Sequence, residues 1–295
     1  MGDRVQRLDI GSGRHVALRT VADGTGPTVL LCHPAPGSSD FDPDPIATRR
    51  RGIRLIAVDR PGYGGSDPVP PHAWATVSGA ADDVAVALRG VGHVPLGVAG
   101  WSAGGRVALA LAARHPDIVT RVVVAATPAP NEEVPWIPTD EQTGIDALRG
   151  ASADAVSAAF VARMAPLAGL DPRSDAALGL LGAGPGDADV LADPAVRERL
   201  RGMLASGFVQ GAIGMATDVA GYTLQPWGFD VANVRAKTLL LFGTKDPIGG
   251  SRHGRWWQRH LPDARLEMIP GAGHLAIMPM WDRALSFLAA GATRA

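Results

Sequence analysis

The chain of 295 residues lacks most of what would mark a secreted, membrane-bound or nucleic-acid-binding protein. It holds a single cysteine, Cys32, so no intramolecular disulfide can form. Cys32 ends the apolar run Thr28 to Cys32, which implies a buried structural thiol and suits a reducing, cytoplasmic setting. Charge is also sparse and balanced. Charged residues make up 19% of the chain and the formal net charge is -1, which excludes a strongly basic surface for nucleic acid and an acidic, disordered composition. No apolar stretch is long enough to cross a bilayer, so no membrane association is expected. The segment Met1 to Arg7 carries charges of both signs with no apolar h-region after it, so no secretory signal is expected. Internal repeats and low-complexity tracts are missing too. By elimination, the expected partner is a small molecule.

What is present is apolar content of 46%, enough over this length for a substantial core. Short apolar runs at Val5 to Ile10, His15 to Arg19, Thr28 to Cys32, Ile53 to Val58, Leu96 to Gly100, Arg121 to Ala126, Thr238 to Phe242 and Arg265 to Ile269 predict strands. The first two are spaced for a hairpin across Gly11-Ser12-Gly13. Several of the others are continuously apolar, as expected of parallel strands buried on both faces. Helical spacing of Val77, Ala80, Ala81, Val84 and Leu88 predicts a helix over 76–89, and further helices are expected over Ala103 to Arg114, near 250–260 and over Met280 to Ala289. Between Asn131 and Gly228 only helical patterns occur. One carries Val156, Phe160, Met164 and Leu167; another starts at Asp193-Pro194 and carries Val196, Leu200, Met203 and Leu204. The fold class is therefore α/β, a doubly wound, mostly parallel sheet formed by residues 1–130 and 229–295, with a helical cap inserted at 131–228.

In such sheets chemistry sits beyond the carboxyl ends of the strands. The run Val98-Ala99-Gly100-Trp101-Ser102-Ala103-Gly104-Gly105 puts a serine on a strand-to-helix turn, with small residues two before and two after it. A serine hydroxyl needs an imidazole to take its proton and a carboxylate to orient that imidazole. Asp246 follows the strand Thr238 to Phe242, and His274 follows the strand Arg265 to Ile269. Asp218, Asp230 and Asp263 compete less well, because none lies just past a predicted strand in the required order. His253 and His260 stand two helical turns apart, too far for the one-turn pairing of a zinc site, and no metal is expected. Asp59 and Asp67 bracket a glycine-rich loop and read as carboxylates accepting backbone amides.

The segments His33-Pro34-Ala35-Pro36-Gly37, Asp59-Arg60-Pro61-Gly62-Tyr63-Gly64-Gly65-Ser66, Gly100-Trp101-Ser102-Ala103-Gly104-Gly105, Gly243-Thr244-Lys245-Asp246 and Gly271-Ala272-Gly273-His274, in this order, resemble the α/β-hydrolase family. The resemblance implies Ser102 as nucleophile, His274 as general base and acid, and Asp246 as orienting carboxylate. It implies an oxyanion hole from the amides of Ala35 and Ala103, no cofactor, and a loop-shaping role for His33. The chain departs from the family's usual His-Gly-x-Pro in having Pro34 at the glycine position. Pro34 and Pro36 carry no N–H, which leaves Ala35 as the interior donor of that loop. Trp101 and Trp136 are expected among the substrate contacts. The chemistry implied is cleavage of an ester, thioester or lactone through an acyl-enzyme. Acyl transfer, a lyase step, cofactor-free oxygenation and a non-catalytic binding role remain open on the same fold.

Overall fold

The computed structural model describes residues 4–11 and 13–291. Residues 1–3 and 292–295 of the expected core, and Ser12 of the expected hairpin turn, lie outside them. The strands are β1 (Arg4–Asp9), β2 (His15–Asp23), β3 (Thr28–Cys32), β4 (Arg54–Val58), β5 (Leu96–Trp101), β6 (Val119–Ala125), β7 (Lys237–Gly243) and β8 (Ala264–Ile269). They form one sheet in the order β1-β2-β4-β3-β5-β6-β7-β8. β1 and β2 pair antiparallel, as do β2 and β4, and the strands from β4 to β8 pair parallel.

The helices of the sheet layers are α1 (Pro45–Arg50), α2 (Val77–Gly90), α3 (Ala103–Arg114), α10 (Ser251–His260) and α11 (Trp281–Ala289). Between β6 and β7 come α4 (Thr139–Asp146), α5 (Ala153–Ala168), α6 (Asp175–Gly179), α7 (Ala188–Ala192), α8 (Pro194–Gly207) and α9 (Ile213–Leu224). The expected strands and main helices fall within a few residues of these bounds. The short helix α1 lies in a segment whose sequence reads only as polar. Its start is nonetheless marked by Asp44, whose side chain accepts from the amides of Ile46 and Ala47, and by Pro45 in the first turn.

The strand runs are apolar throughout because both sheet faces are covered. Val98, Val122, Val124, Leu240 and Phe242 face one core with α2, α3 and α10. Ala99, Trp101, Val123, Leu239 and Leu241 face the other with α11 and Met203 and Leu204 of α8. The helical insertion adds a smaller core of its own around Val156, Phe160, Met164, Ala216 and Ala220. α3 is buried from Ala103 to Ala112, and its alanines and glycines let it lie close against β5 and β6. The chain leaves β3 in one direction to make β4 and returns on the other side of β3 as β5. The ends of β3 and β5 therefore flank the crevice where the strand order reverses.

One brace of that crevice is titratable. His253 of α10 is buried, and its Nδ1 accepts the amide of Ala129 at 3.0 Å, fixing the loop after β6. Burial pulls its pKa down to about 4, against about 6.5 in an unfolded chain. The unfolded state thus binds the extra proton in between, so the contribution is complete above pH ~6.5 and is lost as pH falls through ~4. Comparing the pH dependence of Tm for wild type and His253→Gln between pH 7 and 4 should show a wild-type loss about 3 kcal/mol larger. Equal slopes would show that the ring contributes no such linkage.

Candidate active site

Strand register brings the separated segments together. Cys32 pairs with Gly100 and Trp101 with Ala125, so the His33 to Gly37 loop runs beside the turn at Ser102. Gly243 pairs with Ile269, which sets the loops carrying Asp246 and His274 side by side. The turn is tight. Ser102 has φ 53° and ψ -124°, a conformation rarely held by a residue with a side chain, and its amide donates to the Ala125 carbonyl at 2.9 Å. A Cβ at Gly104 would overlap the Cys32 carbonyl oxygen, and one at Gly100 would lie 2.5 Å from the Gly104 carbonyl oxygen. These two positions admit only glycine for reasons of space.

At this turn the Oγ of Ser102 lies 3.0 Å from Nε2 of His274, and Nδ1 of His274 lies 2.9 Å from Oδ2 of Asp246. Asp246 is buried, and its Oδ1 accepts the amides of Ile248 at 2.8 Å and Gly249 at 3.0 Å. Burial alone would raise this carboxyl, but the His274 ring and those two amides outweigh it and hold it below the ordinary carboxylate range. With Nδ1–H donated to a carboxylate, the Nε2 lone pair is directed at the hydroxyl. The amides of Ala35 and Ala103 have no acceptor among the described residues and flank the same cavity.

Residues that the sequence analysis names and others that it does not, Pro128, Leu180, Leu181, Gly182, Ile248 and Arg106 among them, complete the surroundings. The cavity around Ser102 is about 70 Å³ and is lined by Pro34, Ala35, Pro128, Trp136, Leu180, Leu181, Gly182, Tyr222, Ile248 and Arg106, besides Ser102, Ala103 and His274. Trp136 is thus on the cavity wall. Trp101 is not. It is fully buried on the opposite sheet face against Phe41, because side chains alternate along β5, and its Nε1–H donates to the His274 carbonyl at 2.9 Å. The expectation of a substrate contact at Trp101 is corrected accordingly: it ties the serine turn to the histidine loop. Phe160, Met164 and Met203 likewise belong to cores. His33 is tied into its own loop, with Nδ1 at 2.7 Å from the Pro34 carbonyl and Nε2 accepting the Arg60 amide. Asp59 accepts the amides of Ser39 and Gly65, and Asp218 pairs with Arg60 at 2.8 Å.

The histidine loop has a second brace, which comes from the insertion. Asp187 is buried, and its carboxylate accepts the amides of His274 at 3.1 Å, Leu275 at 2.9 Å and Gly184 at 3.0 Å. Gly273 also donates to the Gly186 carbonyl at 3.1 Å, and a Cβ at Gly273 would overlap the Asp187 carboxylate. The only sequence signal for this contact is the turn-forming Gly184-Pro185-Gly186-Asp187.

The comparisons with known proteins agree with this architecture. A family model described as the alpha/beta hydrolase fold matches residues 27–279, and the chain belongs to that family. The chain is accordingly an enzyme with hydrolase activity. It is 30% identical over 259 residues to a pimeloyl-[acyl-carrier protein] methyl ester esterase of Chromobacterium violaceum, covering 85% of this chain and 88% of that protein. It is 31% identical over 143 residues, 48% of this chain and 47% of that protein, to a 2-(acetamidomethylene)succinate hydrolase of Mesorhizobium japonicum. Among solved structures, an esterase of Thermogutta terrifontis superposes with a TM-score of 0.71 at 22% identity, covering 99% of this chain and 100% of that one.

Asp187→Ala would leave two buried amides and one half-buried amide without this acceptor. We expect a loss of about 2–4 kcal/mol in denaturant unfolding, part of it recovered in Asp187→Asn, while Asp189→Ala on the exposed side of the same stretch changes little. An unchanged midpoint in Asp187→Ala would mean that the carboxylate is not a brace.

Proposed function

We propose that this protein is a serine esterase that works through an acyl-enzyme at Ser102. The observation that carries the reading is the continuous contact from Ser102 Oγ through His274 to the buried Asp246, next to two amides with no acceptor among the described residues. His274 takes the hydroxyl proton as Ser102 attacks the substrate carbonyl. Asp246 keeps Nδ1 protonated and balances the imidazolium that forms. Negative charge then develops on the former carbonyl oxygen, and the amides of Ala35 and Ala103 receive it. His274 returns the proton to the leaving group, activates a water, and the same steps in reverse order release the acid. The steric demand at Gly100 and Gly104 is what holds Ser102 exposed to a substrate instead of folded into α3.

The name of the Chromobacterium relative, a methyl ester esterase, supports an ester over a thioester or lactone. Residues 131–228 form the cap in this reading, supplying Trp136, Leu180, Leu181 and Tyr222 to the cavity, with Trp136 a substrate contact. An apolar wall around a cavity of about 70 Å³ suits a small substrate with some apolar character. The substrate classes named for the two curated relatives differ, so the substrate has to be argued from this chain's own cavity.

Ser102→Ala should reduce ester turnover by about 10⁴ to 10⁶ and abolish labelling by a fluorophosphonate probe, and Asp246→Asn should cost about 10⁴ through loss of the required tautomer. Near-full turnover in Ser102→Ala would remove the nucleophile assignment.

A further inference from the structure

Arg106 sits four residues after Ser102 on α3, in a helix whose other buried residues are alanine, glycine, valine and leucine. It is 2% exposed and lines the same cavity as Ser102, Ala35 and His274. Helical side chains lean toward the N-terminus of their helix, so a long side chain at this position reaches back toward the serine end. Four residues of helix amount to about 6 Å of rise.

The guanidinium is under-satisfied for a buried cation. Of its five N–H donors, one nitrogen donates to the Pro128 carbonyl at 3.2 Å and the Tyr222 side chain is a second, neutral hydrogen-bond partner, while Nε has no partner among the described residues. No carboxylate forms an ion pair with it among the described residues. The contrast is Arg60, also buried, which is matched by Asp218 at 2.8 Å and by the carbonyls of His33 and Pro34. What surrounds Arg106 is an aromatic box. Its guanidinium carbon lies 4.4 Å from the Tyr222 ring centre, 5.1 Å from that of Trp227 and 5.6 Å from that of Trp136. Rings hold a guanidinium in place without neutralising it. An unpaired buried charge is costly, and a planar fork of donors fits a carboxylate in a bidentate manner.

We infer that Arg106 is the anion-binding residue of a carboxylate subsite, so that the preferred substrate is a short ester bearing a carboxylate a few bonds from the scissile carbonyl. This rests on the esterase reading, and it adds a substrate class to it. The acid binds with its carboxylate on Arg106 and its ester carbonyl over Ser102, oxygen toward Ala35 and Ala103. Trp136, Tyr222 and Trp227 keep the guanidinium from collapsing into the cavity when no anion is bound. Short length follows from the spacing along α3 and from a cavity of about 70 Å³.

The test compares the 4-nitrophenyl monoester of succinic acid with the 4-nitrophenyl ester of succinamic acid, which has the same shape and no charge. Wild type should favour the anionic ester by about 10- to 100-fold in kcat/KM, and Arg106→Gln should bring that ratio to one or below, with Arg106→Lys in between. A wild-type ratio at or below one, or a ratio that Arg106→Gln leaves unchanged, overturns the subsite while leaving the esterase reading in place. A second measurement needs neither turnover nor a variant. Titration calorimetry of the wild type with succinate should show binding that is absent with succinamide, and succinate should slow fluorophosphonate labelling of Ser102. If neither ester is cleaved, the esterase reading fails and the calorimetry alone decides the subsite; equal heats from succinate and succinamide would overturn it.

Discussion

The contact on which the rest of this structure depends is the one between the backbone of the serine turn and the end of β3. Gly104 and Gly100 let α3 and β5 approach until their atoms touch the Cys32 and Gly104 carbonyls. That approach forces Ser102 to φ 53°, which projects its hydroxyl over the strand ends. It also sets the distance from Ser102 to the Pro34-Ala35-Pro36 loop, since that loop begins one residue after Cys32. A side chain of any size at Gly104 would push the helix, the hydroxyl and the neighbouring amide apart together. The strain of the turn is held by groups around it: Ser102 and Thr127 bond through the serine carbonyl, and Trp101 anchors the turn to the histidine loop.

Much of this was readable in the chain because the signals are local. Runs such as Val122 to Ala125 and Leu239 to Phe242 are apolar at every position because helices cover both faces, and that continuity marks a buried parallel strand without further information. The small residues around Ser102, and acid and histidine placed just past strand ends, follow from the geometry of a turn and of a sheet edge. Trp101 departs from the sequence expectation for a reason that is itself local. Adjacent in sequence to Ser102, it is the last residue of β5, and strand alternation sends it to the core that holds Ala99, away from the cavity. The omission of α1 has a different origin, since six residues are too few for a helical period and only the Asp44-Pro45 cap announces it.

What the chain could not announce are contacts made across large sequence separations. Asp187 meets the amides of His274 and Leu275 only because the insertion folds back over the sheet edge. Leu180 and Leu181, just past the end of α6, and Tyr222 of α9 reach the cavity by the same route. Arg106 lies between the two cases. A lone cation on an otherwise apolar helix is a sequence signal, yet the rings that surround it come from the loop after β6, from α9 and from the segment before β7.

The embrace of the histidine loop by Asp187 bears on how this family of enzymes can change. An insertion is often regarded as an interchangeable module, free to vary while the sheet retains the chemistry. Here two amide bonds from the histidine loop to one carboxylate, which a third amide, that of Gly184, holds in place from within the insertion, make the insertion part of the scaffold that supports His274. Replacing this helical insertion would therefore alter more than the shape above the serine. It would withdraw a buried counterpart from the histidine loop itself, so in this chain a change above the serine is also a change beneath the histidine.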